Sequence, residues 1–315
     1  MNSSSFDIAG PLGIGAIELG VFGALILFGI LIVQTYVYFV HTGSEDLKSL
    51  RIMVTIVFLF EVAHTITIII GIFQWTVVAR DRKTRKMPGI FIITNLLETL
   101  VTTVVQSHFA HRVYRFTRNP WLTFSIAPLI LLRAAGGIVL SALTFVLDPR
   151  TAPGQYFPVQ NLIGWLVSAT FIAGAVVDAL IAAGLCFYVR KWKSPSAGDS
   201  LESTVQLCNR IMFWSIQTGL ITSAFSIATF LCFQLMPHNY VWIGVLAVLG
   251  KVYSNSLLSS LNVRAIHRAH KEKVAQTILL FRSSTLAFND TEVAVTSNVQ
   301  VDRGSIHEEH TQAPK

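Results

Sequence analysis

Charge is what this sequence has least of: 13% of its 315 residues are charged, about half of what a soluble globular domain carries. With 52% hydrophobic residues and a mean hydropathy of +0.58, that scarcity excludes a water-soluble domain. Cysteine is scarcer still. Cys186, Cys208 and Cys232 all fall in or beside apolar runs, so no disulfide framework is implied and we read them as small packing residues. There is no glycine-rich phosphate loop, no HExxH and no serine-nucleophile motif. Catalysis has no motif to stand on, and neither a cofactor nor a metal is expected. Met1–Gly10 lacks a basic segment and the first apolar run is of span length, so a cleaved leader is not expected.

What is present is a series of apolar runs long enough to cross a hydrocarbon core of about 30 Å. Seven are expected as membrane spans: 15–40, 51–74, 89–111, 122–147, 159–188, 205–236 and 240–263. This predicts an all-α polytopic membrane protein, seven transmembrane helices in one bundle over 15–263. An outer N-terminus (1–14) precedes it, and a basic juxtamembrane helix (264–282) and a disordered cytoplasmic tail (283–315) follow. The net charge of +7 does not point to nucleic acid, because the basic residues sit beside span ends. Placing the N-terminus outside and the C-terminus inside puts thirteen lysines and arginines near the inner surface against six outside. The basic loop Arg80–Lys86 violates that rule. Asn2-Ser3-Ser4 is a glycosylation sequon on the outer side. The segment Asp148–Pro158, with three prolines, reads as an ordered outer turn. Trp75, Trp121, Trp192 and the Tyr240–Trp242 pair lie at span ends, where aromatic rings anchor at the interface.

The few charges inside these spans share a depth. At 1.5 Å per residue from the inner end of each helix, Glu61 lies about 15 Å deep, Arg133 and Asp178 about 18 Å, Lys251 about 20 Å and Glu98 about 21 Å. Five ionisable residues from five helices are expected in one slab. Periodicity agrees. Asn95, Glu98, Thr102 and Gln106 form one stripe of span three, and Lys251, Asn255, Ser259 and Asn262 form another on span seven. Gly174, Asp178 and Ala182 leave room for a neighbouring helix. Such a layer is either an internal network that fixes helix register or a ligand, ion or proton site.

A midplane lysine on a seventh helix also suits a retinal Schiff base, but the aspartate expected one turn earlier is Ala247 and no aromatic retinal box is evident. Glu61 and His64 have a metal-ligand spacing. His64 and His108 differ too much in depth to share an ion, so His64 is expected to hydrogen-bond within the bundle. The marks of rhodopsin-like receptors are missing. Span three closes with His111-Arg112-Val113, and span seven lacks Asn-Pro-x-x-Tyr.

The chain resembles a fungal, chiefly basidiomycete, family of seven-helix membrane proteins catalogued as a domain of unknown function. The resemblance rests on Gln34-Thr35-Tyr36, Glu61-Val62-Ala63-His64, the run Gln106 to Tyr114, Asp178, Lys251-Val252-Tyr253-Ser254-Asn255-Ser256 and Leu261-Asn262-Val263-Arg264. It covers residues from about Leu12 to Arg264, and Arg80–Lys86 is more charged than the family leads one to expect. It implies the architecture and assigns no activity.

The leading expectation is a receptor-like protein that senses a small ligand through the buried layer. Lys251, Glu98, Glu61, Asp178 and Arg133 would line the site, with Asn255 and Gln106 as hydrogen-bonding partners. Its partners would be the bilayer of the plasma membrane, anionic inner-leaflet lipids at the basic tail and a cytoplasmic signalling protein. The competing expectations are a transporter or proton-coupled carrier using the same carboxylates, and a structural protein whose charges only hold the helices together.

Overall fold

The computed structural model describes residues 11–41, 46–78, 89–118, 120–146, 156–192, 202–236, 241–263, 276, 277, 279 and 280. The chain divides into two units, Met1–Arg264 and Ala265–Lys315. Only the last four described positions belong to the second unit, and all four are helical.

The described part of the first unit is helical almost throughout. Its elements are α1 (Pro11–His41), α2 (Lys48–Phe73), α3 (Ile90–Thr117), α4 (Pro120–Val146), α5 (Tyr156–Trp192), α6 (Glu202–Leu235) and α7 (Val241–Val263). α2 ends in a π-helical turn, Gln74–Val78. Six of the seven, all but α6, are long and apolar enough to cross a membrane. α6 runs for 34 residues and carries the shorter apolar stretch Gly219–Leu235. The chain is a helical integral membrane protein. Its outward faces are apolar, with Leu19, Phe22 and Ile26 of α1 and Phe124 and Leu131 of α4 exposed as a lipid-facing surface requires.

The register of contacts gives the direction of each helix. Thr94 donates to Thr67 while Gly71 touches Ile90 and Phe91, so α2 and α3 are antiparallel. Asn95 reaches Ser141 and Gln106 reaches Arg133, which makes α3 and α4 antiparallel. Gln234 pairs with Ser168 while Gly219 touches Ala182, and α5 and α6 follow suit. α1 and α7 differ. Gly20 meets Gly244, Gly23 meets Val248, Asn255 donates to Leu27 O at 3.0 Å and Asn262 to Gln34 O at 2.8 Å. Residue numbers rise together along both helices, so α1 and α7 run parallel. A Cβ on Gly20 would lie 2.4 Å from Gly244 Cα, so both glycines are needed for backbones this close.

One aromatic expectation is corrected. Trp75, in the π-helical turn, is buried and packs edge-on against Phe91 at 5.8 Å. Trp242 packs against Phe171 and Phe233. Trp121 is exposed at a helix end, as an anchor would be. The expected turn at Asp148–Pro158 is shortened, since Tyr156–Pro158 already belong to α5. The sequon at Asn2, the basic loop Arg80–Lys86 and nearly all of 264–315 lie outside the described residues.

Candidate functional site

α7 carries the polar centre of the bundle, and two of its faces are engaged in different ways. On the α2 side, Lys251 is fully buried and its Nζ forms an ion pair with Glu61 Oε2. It also donates to Thr65 Oγ1 at 2.7 Å and to Glu61 O at 3.2 Å. An ammonium has three protons, so its donor capacity is spent. The Thr65 hydroxyl sends its own proton to Glu61 O at 2.7 Å, leaving lone pairs for the lysine. Ser254, one turn beyond Lys251, donates to Glu61 Oε1 and fills the other side of the carboxylate. The Phe28 ring lies 5.0 Å from Nζ, an electrostatically favourable wall. An amine this occupied does not present the free lone pair that a Schiff base needs.

On the opposite side, Tyr253 donates to Asp178 Oδ2 at 2.5 Å, and Gln106 Nε2 donates to Asp178 Oδ1 at 2.9 Å. Arg133 approaches Gln106 Oε1 at 3.5 Å and lies 5.6 Å from the centre of the Tyr253 ring. A Cβ on Gly174 would be 2.8 Å from Arg133 Nε, so it is the glycine in the small-residue run of α5 that lets the guanidinium lie there. Among the described residues Arg133 makes no ion pair. The charged layer is therefore two clusters flanking α7, one ionic and one built on hydrogen bonds.

Glu98 sits between them, packed against Gly250. It is buried, and among the described residues its Oε1 has no hydrogen-bond partner. His64 is buried on α2, one turn from Glu61, and among the described residues neither ring nitrogen has a hydrogen-bond partner. This corrects the expectation that it bonds within the bundle: the carboxylate one turn away is already taken by Lys251 and Ser254. Both His64 and Glu98 interact electrostatically with Lys251. Asn255 is also placed differently from the expectation. Its amide serves Leu27 O and Lys251 O, so it ties α7 to α1 and does not face the charges. Among the described residues no three His, Cys, Asp or Glu side chains could hold a metal.

Sequence reasoning does not single out Tyr253, Thr65 or Ser254 for this site. Tyr253 falls two residues after Lys251, off its stripe, and a period-based search passes over it. Thr65 is detectable, since it lies four residues after Glu61 on the same face.

Residues 174–266, less than a third of the chain, match a Family of unknown function (DUF6534). No curated protein and no solved structure matches the chain. The matched segment supplies Asp178, Lys251, Tyr253 and Ser254, while Glu61, Glu98, Gln106 and Arg133 lie outside it. From within α5 through α7 the chain is similar to a family of unknown function, and the matched stretch of this chain holds half of the polar centre.

Proposed function

We propose that this is a seven-span protein of the plasma membrane, N-terminus out and C-terminus in, that senses a small ligand through its buried polar layer. Seven spans are supported by the parallel course of α1 and α7, which in an alternating bundle requires α6 to cross as well. Orientation is supported by the excess of basic residues near the inner ends. The inner loops and basic tail would meet anionic lipid and a cytoplasmic signalling partner. We read the protein as a non-enzyme.

The observation that carries sensing is the unspent polar capacity around Lys251. A network that served only to clasp helices would satisfy its members, since an unpaired buried polar atom costs about 1–3 kcal/mol. Glu98 Oε1 and both nitrogens of His64 have no hydrogen-bond partner among the described residues, which supports a partner from outside the chain. The test is a thermal-shift screen of small molecules on the purified protein. A ligand of this site raises the melting temperature of wild type and not that of Glu98→Gln or His64→Leu. If every stabilising compound acts equally on all three proteins, the site is not there.

The same unpaired titratable groups also suit a proton-coupled carrier. That reading predicts solute-dependent proton uptake by proteoliposomes holding only this protein, lost in Glu98→Gln. No uptake across a broad solute panel would remove it.

A further inference from the structure

Many buried hydroxyls in this protein follow a rule, and Ser256 is among those that depart from it. Thr35, Thr65, Thr102, Ser141 and Thr229 each turn back to the carbonyl four residues earlier, the usual resting place of a hydroxyl inside a helix. Ser256 of α7 is 6% exposed, and its hydroxyl is not turned back to the carbonyl four residues earlier. It lines a pocket of about 10 Å³ between α3, α5, α6 and α7, together with Asp178, Thr222, Tyr253, Gly219, Phe109 and Ile181. That is about the space of one water, which needs two to four polar partners to stay.

We propose that this pocket is a binding site for a single water molecule that joins α6 to the Asp178–Tyr253 cluster. Ser256 Oγ supplies a proton to the water. Thr222 lies against Gly219 O at 3.0 Å and within hydrogen-bonding reach of Asp178, so its own proton is engaged and its lone pairs accept one from the water. The second water proton goes to Asp178, whose two oxygens already accept from Gln106 and Tyr253. A carboxylate has about four acceptor positions, so capacity remains. Three hydrogen bonds is the usual complement of a buried water. A dehydrated monovalent cation is disfavoured, because Arg133 stands over the Tyr253 ring as the local positive charge.

The test is difference infrared spectroscopy of the full chain in lipid nanodiscs, exchanging ordinary for heavy-oxygen water. Wild type is expected to show an isotope-sensitive O–H band that falls to baseline in Ser256→Val and in Thr222→Val. Thr222→Val is isosteric and carries the test if Ser256→Val does not fold. A band that persists in the variant, or is missing from wild type, overturns the proposal. So does a melting temperature that rises in sodium chloride over choline chloride at equal ionic strength in wild type and not in Thr222→Val, because the occupant is then a cation.

Discussion

α1 and α7 lie side by side and are opposites. Among the six long apolar helices, α1 has the highest mean hydropathy, 2.6, and only 22% of its most apolar stretch is buried; α7 stands at 1.5 with 67% buried. In water the ranking would be reversed, because apolar area drives burial there. In a bilayer the lipid tails are as apolar as leucine, so α1 gains nothing by hiding. Burial goes to the helix whose polar groups need partners. Lys251, Tyr253, Ser254 and the amide N–H groups of Asn255 and Asn262 find theirs on other helices. The centre of this protein is held by polarity and close packing, and hydropathy marks its rim.

The sharpest way to break that comparison is at Lys251. Lys251→Met leaves Glu61 buried without its counter-charge and is expected to cost about 3–5 kcal/mol. Reversible denaturation in bicelles measures it. Adding Glu61→Leu is expected to recover most of the loss, since an apolar pair replaces an ionic one. If the double variant is as unstable as the single, the cluster does more than neutralise charge. Next is Tyr253→Phe, which removes one donor from Asp178 and keeps the ring under Arg133. A hydrogen bond to a charged group is worth about 1.5–3 kcal/mol, and the same assay is expected to read a loss in that range.

The contrast between α1 and α7 also explains how far the sequence can be read. Helix number and extent are legible because a bilayer leaves the backbone only one way to cross, and long apolar runs announce it. That Lys251 can meet Glu61, and that Asp178 and Arg133 can both reach Gln106, is legible because helical rise is fixed. Which of these side chains pairs with which is not. Depth says nothing of azimuth, and α7 turns Lys251 towards α2 but Tyr253, two residues on, towards α5. Asn255 shares the stripe of Lys251 and still serves α1, since an amide next to a parallel helix finds a backbone carbonyl first. Trp75 reads as an interface anchor and is buried, and the π turn that holds it leaves no signature in composition.

Close packing comes third. Gly244→Ala adds a methyl that would lie 2.5 Å from Ala16 O, and the two helices must part to admit it. Overpacking of this kind costs about 1–3 kcal/mol. In the bicelle assay Gly20→Ala is expected to match it, with the double variant less than additive because one separation relieves both contacts.

The smallest effect is the most diagnostic. Ile26 of α1 is 67% exposed, although it stands one residue from Leu27, whose carbonyl accepts the amide of Asn255. If lipid covers that face, Ile26→Ala exchanges one apolar surface for another and changes stability by less than about 0.5 kcal/mol. A cost of about 2–5 kcal/mol, the range for truncating a buried Leu or Ile to Ala, would mean that protein covers Ile26. The low burial of α1 would then belong to the isolated chain alone. Cross-linking through a cysteine at position 26 would show whether the cover is a second copy.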